Sequence, residues 1–335
     1  MTQSQQTPSA RVSQSGAPGQ LFDDTAPDGE DRVISKIVDT ILNIQKKSYK
    51  PGQKPRRALH GKSLGLANGV FTVRRLPPDL AIGLFARSCS FSTVARFSNG
   101  AMGVNAPDIL PNVRGLAIKL YGVEGEKTLP GEEQGTEQDF LLANDPAFFV
   151  KEIQHFAHLT AGNIMDLLVE APGTLSRVIK ATTKFVPSLL ESNYYTQVPS
   201  RFGARACKYA LIYQPENRFK ENGGGGLPNI FDKDYLRHDL DRRLHMGDNA
   251  HFVFCVQFQK AGESISDSTK MWTGDYLPLA DLLFPRVSRQ LEESDGEDLS
   301  FNPARSLAEH EPISWPGRLR RAVYQADSEW RNSHS

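Results

Sequence analysis

Residues 251–259 read HFVFCVQFQ, with Phe252, Phe254, Val256 and Phe258 at every second position. A two-residue period puts all four on one face of a strand, and a helix cannot present them that way. Four shorter runs, GVFTVRRL, SFSTVARFSNG, VRGLAIKLYGV and DFLLAN, alternate similarly between Gly, Pro and Asn punctuation, as antiparallel strands do. Other segments keep a helical period. DRVISKIVDTILNIQKK carries Val33, Ile34, Ile37, Val38, Ile41 and Leu42 on one face, with acids before it and lysines closing it. PAFFVKEIQHFAHLTAGNIMDLLVEAP, TLSRVIKATTKFV and the final stretch GRLRRAVYQADSEWR also read as helical, the last after a Pro-punctuated loop that begins at Leu277. Strands in one block with helices inserted and following predict an α+β chain built on a central antiparallel sheet or barrel. Such a barrel can hold a sizeable ligand in its mouth. The expected organisation is one domain over 26–335, preceded by a disordered or extended arm over 1–25 that is too polar to fold alone.

Composition narrows the function classes. Lys+Arg and Asp+Glu number 39 each, so no global field favours nucleic acid or an anionic membrane. The three cysteines, Cys89, Cys207 and Cys255, have neither metal-like nor redox spacing and read as small core residues. No apolar run reaches membrane-spanning length and the N-terminus lacks a secretory apolar core, so a soluble, cytoplasmic protein is expected. The ENGGGG run at 221–226 is a turn without the Lys-Ser/Thr that a phosphate-cradling loop requires.

Several residues could carry chemistry. His60 stands three residues after Arg57, just before a Gly-rich entry to a strand; alone it reads as an ordinary histidine. Arg96 and Ser98 share one side of the VARFSNG strand, and an arginine facing an apolar interior demands a counter-anion such as a carboxylate ligand. DFLLANDPAFFVKEIQHF supplies Asn144, Phe148, Phe149 and Phe156, a ring cluster that by itself suggests core. Arg320 and Tyr324 are four apart and lie one above the other on a helix. A guanidinium beside a phenol oxygen favours the phenolate, and a trivalent metal favours it far more. Arg-x-x-x-Tyr therefore suits an anionic metal ligand, although the pattern also occurs by chance. Arg318 and Arg321 read as solvated charges. His155 and His158, three apart on a helix with no third ligand in the pattern, read as a partly exposed face. Met102, Met165 and Met246 suggest packing alone.

Taken in order, the Arg-x-x-His strand entry, RFSNG, NVRGLAIKLYG, NDPAFFVKE, KMWTGDYLPL, LSFNP and GRLRRAVY resemble the haem catalase family from about Pro55 to Arg331. The resemblance is to its small catalase-related members, and implies a catalase-like antiparallel β-barrel with inserted and flanking helices, lacking the carboxy-terminal helical region. It implies haem b, with Tyr324 as the iron ligand and Arg320 stabilising the phenolate. It further implies His60 as the distal acid–base, Ser98 orienting its ring, and Arg57, Arg96 and Arg331 binding the haem propionates. Phe148 and Phe156 would line the distal pocket. The family's distal asparagine would be Asn144, yet an ungapped alignment on DPAFF puts Ala143 there. Either a local bulge turns Asn144 into the pocket or Ala143 occupies that position.

The function so implied is haem-dependent heterolysis of hydrogen peroxide or an organic hydroperoxide, as a catalase-related peroxidase in the response to oxidative stress. A small-molecule electron donor would serve peroxidase turnover, and a homo-oligomer is compatible with the fold. Two alternatives stand beside it: a hydroperoxide isomerase of the allene oxide synthase type acting on a lipid hydroperoxide, and a non-catalytic haem-binding protein.

Overall fold

The computed structural model describes residues 22–100, 105–214, 229–246, 250–285 and 293–334. Residues 1–21 of the expected arm, the ENGGGG turn, Met102 and the side chain of Met246 lie outside the described residues. Among the described residues, nine strands form one antiparallel sheet: β1 (Ser63–Val73), β2 (Ser90–Asn99), β3 (Arg114–Tyr121), β4 (Glu137–Ala143), β5 (Tyr194–Tyr195), β6 (Ser200–Phe202), β7 (Arg205–Tyr213), β8 (Ala250–Phe258) and β9 (Leu277–Phe284). Their order is β5-β4-β3-β2-β1-β9-β8-β7-β6, and a further pairing of β5 with β7 closes eight of them into a barrel, leaving β6 as an extra strand on β7.

The alternation in β8 does what its period demands. Phe254 points into the barrel and meets the rings of Phe140, Phe71 and Tyr209, at centroid distances of 4.8, 5.2 and 5.3 Å. Phe97, Tyr194, Phe252 and Phe284 belong to the same buried cluster. An eight-stranded barrel is just wide enough for side chains to fill it, and rings fill this one. The expectation of a ligand in the barrel's mouth is therefore corrected: the cavity that gathers the expected site residues lies outside the barrel, against the outer face of β2–β4.

Helix α1 (Glu30–Ser48) buries Ile34, Ile37 and Ile41, the face its sequence period marks. They pack on Trp315, Leu319 and Val323 of the terminal helix α7 (Ser314–Asn332). The predicted helical run after Pro146 is cut into α2 (Ile153–Ala161) and α3 (Ile164–Glu170) by Gly162, whose φ of 75° ends α2 with a left-handed cap. Helices α4 (Gly173–Thr182), α5 (Tyr235–Met246) and α6 (Glu293–Asp298) complete the set. Strand β9 occupies the stretch expected to be loop; it pairs with both β1 and β8, and LPLADLLF lacks a strict alternation, with the adjacent Leu279 and Ala280 both buried.

Two further expectations are revised. Arg318 is not a solvated charge: it is half-buried and pairs with Asp24 (2.7 Å) and Glu30 (2.5 Å), and Asp24 also accepts the amide of Ser314 at the start of α7. Residues 22–25 of the expected arm thus include a segment docked on α7. His155 is buried, and His158 lies 3.7 Å from Asp166 and 3.2 Å from Glu170, yet among the described residues no group of three potential ligands is arranged to hold a metal ion. No described helix is long and apolar enough to cross a membrane.

Candidate active site

Antiparallel pairing puts directly opposed residues on one face, so two rows of side chains leave the barrel together. Arg96, Ala117 and Leu141 form one row, and Ser98, Gly115 and Ala143 the next. Phe97, Leu116 and Leu142, between them in sequence, point inward to the core. The outward rows form one wall of a cavity of about 330 Å³. Helix α7 supplies another through Pro316, Arg320 and Tyr324, spaced four apart, and through Leu319, Val323, Asp327 and Arg331. Phe148, Phe149, Phe156 and Leu159 make an apolar side.

His60 enters this cavity from the turn before β1, with φ of 55°, a left-handed conformation that histidine tolerates better than most residues. Its Nδ1 is 3.0 Å from Ser98 Oγ, and its carbonyl accepts Arg96 Nη1 at 3.0 Å. The ring lies against Gly115, where a Cβ would come within 2.4 Å of His60 Nδ1 and 2.8 Å of Ser98 Oγ. Burial, reinforced by Arg96, Arg320 and Arg57, pulls the His60 pKa down to about 3, so its imidazole is neutral in ordinary buffers.

Three arginines gather at one end. Arg57 Nη1 is 3.1 Å from Glu297 Oε2, Arg96 Nη2 is 3.3 Å from Glu297 Oε1, and Arg331 binds Asp327 (3.1 Å) and the Glu297 carbonyl (2.8 Å). Burial and the Arg96 charge lower Arg57 to about 9 against the pull of Glu297, so it stays cationic at neutral pH. Asp327 also accepts Gln45 Nε2 and the Ala58 amide, both at 2.8 Å, which ties α1 and the strand entry to α7. Arg320 lies 6.0 Å from the Tyr324 ring centroid and donates to the carbonyls of Thr196 (3.3 Å) and Leu141 (3.5 Å).

No protein-family model matches the chain. A catalase-related peroxidase of Mycolicibacterium paratuberculosis is 24% identical over 286 residues, covering 82% of this chain and 88% of that protein. A catalase of Latilactobacillus sakei is 25% identical over 289 residues, covering 75% of this chain and 56% of its own. A crystal structure of a fungal catalase superposes with a TM-score of 0.66 at 16% identity, covering 88% of this chain and 62% of that one. The chain has the catalase fold and is similar in sequence to catalases and a catalase-related peroxidase. It spans little more than half the length of the Latilactobacillus catalase.

Nine of the ten expected site residues line one cavity: Arg57, His60, Arg96, Ser98, Phe148, Phe156, Arg320, Tyr324 and Arg331. Asn144 is the exception. No bulge interrupts β3–β4, so Ala143 pairs with Gly115 and lines the cavity, while Asn144 is directed away. Asn144 Oδ1 instead accepts the Arg114 amide at 2.8 Å, and its Nδ2 has no hydrogen-bond partner among the described residues. Its reading as a catalytic residue is not supported by this position.

Sequence reasoning missed Gly115, Gln197, Glu297 and Asp327. The glycine could have been suspected from NVRGLAIKLYG, where a strand interior weakened by glycine signals a close approach. Gln197, at φ 61°, lines the cavity and its amide holds the turn that carries Phe148 by donating to the carbonyls of Asp145 and Ala147. Glu297 had no signal, because its partners lie about 200 residues away. The LSFNP motif acquires a structural role: Phe301 lines the cavity, and the Asn302 amide donates to Asp139 (2.9 Å) while its side chain donates to the Arg321 carbonyl of α7 (3.2 Å).

Proposed function

We propose that residues 26–335 act as one haem b domain and that the protein is a peroxide-acting haem enzyme of the catalase-related peroxidase type. The observation that carries this reading is the convergence of neutral His60 and Tyr324 on one cavity with a cluster of buried arginines. The cavity fits the group. Arg57 Nη1 is buried 3.1 Å from Glu297 Oε2 in an ion pair whose geometry makes no hydrogen bond, which leaves this donor suited to a ligand carboxylate. Gly115 leaves the room in which the His60 ring sits at the cavity wall. Tyr324 would be the iron ligand, Arg320 would stabilise its charge, and Arg57, Arg96 and Arg331 would hold the propionates. Haem bound there would supply the iron at which a peroxide O–O bond is cleaved.

The chain's own residues would do the rest. His60, held at Nδ1 by Ser98, keeps Nε2 for the substrate. It takes the proton from the hydroperoxide oxygen and returns it to the departing one, for which a neutral imidazole is required. Phe148, Phe149 and Phe156 exclude water from the apolar side, which strengthens every charge interaction inside. Absorption spectra of the haem-reconstituted protein test the ligand set: a Soret band that changes with Tyr324→Phe is expected. An unchanged spectrum would remove Tyr324 from the metal.

Ala143 favours a second reading. With a methyl group on the Gly115 row beside His60 rather than an amide, that position offers a small peroxide no hydrogen bond and suits an apolar substrate better. Rearrangement of a lipid hydroperoxide to an epoxide is the corresponding activity. Incubation with a lipid hydroperoxide and no reductant separates the two: isomerised product supports rearrangement, and oxygen evolution from hydrogen peroxide supports dismutation.

A further inference from the structure

We propose that α3, α4 and the loop 105–113 form a lipid-docking surface around the cavity opening, fitted to a bilayer carrying anionic headgroups. Val169 is 80% and Met165 74% exposed, and Ile179, Phe185, Leu110 and Ile109 are each more than 40% exposed. So many large apolar side chains facing solvent in one region mark a contact surface. Helix α3 packs beside α4, and α4 and the loop adjoin the cavity. Val178 and Thr182 of α4 line it while Ile179 beside them faces out, and Pro111, itself exposed, lines it next to Ile109 and Leu110. The Asn112 amide donates to the Thr182 carbonyl at 2.7 Å, joining the loop to the end of α4, and both residues line the cavity.

Charge selects the partner. Residues 171–190 contain Arg177, Lys180 and Lys184 and no acid, within a chain whose total charge is zero. Lys180 and Lys184 are exposed and make no ion pair among the described residues, whereas the exposed acids of α3, Asp166 and Glu170, lie 3.7 and 3.2 Å from His158. Apolar side chains interleaved with cations are the pattern that inserts at an anionic lipid interface. A second copy packed on the same face would set these lysines against their own counterparts. A protein cover would also close the opening, while a bilayer is a reservoir of apolar solutes for it.

Co-sedimentation of the full-length protein with vesicles tests this. Binding to phosphatidylcholine–phosphatidylglycerol vesicles, weaker on phosphatidylcholine alone and weakened by salt, is the expected result. Met165→Ser with Val169→Ser and Ile179→Ser should reduce partitioning about tenfold or more, the factor that about 1.4 kcal/mol of lost burial produces. Lys180→Glu with Lys184→Glu should abolish the preference for the anionic vesicles. An unchanged thermal midpoint in these variants, which alter exposed positions, shows that the fold survives. Absence of binding to either vesicle, wild-type binding by the apolar triple variant, or concentration-dependent self-association that the triple variant removes would each overturn the proposal. The patch would bind lipid whether or not the cavity turns over peroxide, so sedimentation fails separately from the functional reading.

Discussion

His60 rests on Gly115: the imidazole Nδ1 would lie 2.4 Å from a Cβ at that position, closer than any side chain allows. Strand β3 therefore has to be bare where the histidine crosses it, and Ser98 on β2 can then reach the ring. Gly115→Ala should push His60 off Ser98 and cost on the order of 1–3 kcal/mol of stability through overpacking. If His60 is the acid–base, peroxide turnover should fall about a hundredfold or more. A Soret band kept intact alongside lost turnover is the signature, measured by haem titration and steady-state kinetics on one preparation.

Ala143 and Asn144 should separate cleanly. Asn144→Ala should lower stability by about 1–3 kcal/mol, because the Arg114 amide loses its acceptor in a buried site. Its effect on the ratio of oxygen evolution to peroxidase turnover should be small. Ala143→Asn, on the cavity face, should change that ratio in favour of hydrogen peroxide with little change in the denaturation midpoint. The reverse pattern would show that Asn144 is the residue facing the substrate.

Glu297→Gln should destabilise the haem-free protein by about 3–5 kcal/mol. It leaves Arg57 and Arg96 buried side by side without the carboxylate that bridges them. Urea denaturation of the haem-free protein measures this. Added haem should recover part of the loss if the propionates take the vacated role, and recovery is read from the same midpoint.

Acid should weaken the fold through its buried histidines. His310 accepts the Leu84 amide on Nε2 (3.0 Å) and contacts Tyr209 Oη through Nδ1 (2.8 Å), with the rings of Phe85 and Phe202 around it. Burial lowers both His310 and His60 from 6.5 to about 3. The unfolded chain thus takes up protons that the folded one refuses, so the histidine contribution to stability is intact above about 6.5 and is lost progressively as pH falls toward about 3. Around His60 the groups that hold it neutral are Arg96, Arg320 and Arg57. Denaturation midpoints across that window should fall with acidification, and less steeply in His310→Asn. A wild-type curve that is flat through the window contradicts the assignment.

Phe254→Ala should cost about 3–5 kcal/mol, the range for removing a buried ring from a packed core. Its ring touches Phe71, Phe85, Phe140 and Tyr209, drawn from four separate segments. Haem binding in the surviving folded fraction should be unchanged, since the cavity lies on the other side of the sheet.

Local period by itself determined the identity of β8, of the strands β1–β4 and of α1, because side-chain alternation and helical spacing are written within a few residues. The ordered motifs likewise identified nine residues that converge on the cavity, since each lies in a short segment whose wording is self-contained. What only the tertiary structure decided depends on groups distant in sequence. Barrel closure through β5 and β7, the filling of the barrel by rings, and hence the cavity's place outside it follow from packing volume, which no single segment encodes. The choice of Ala143 over Asn144 rested on the register of β3 with β4, where one residue decides the face. Glu297 reached Arg57 and Arg96 only when a segment about 200 residues away folded onto them, because a buried charge takes whatever partner the fold brings within reach.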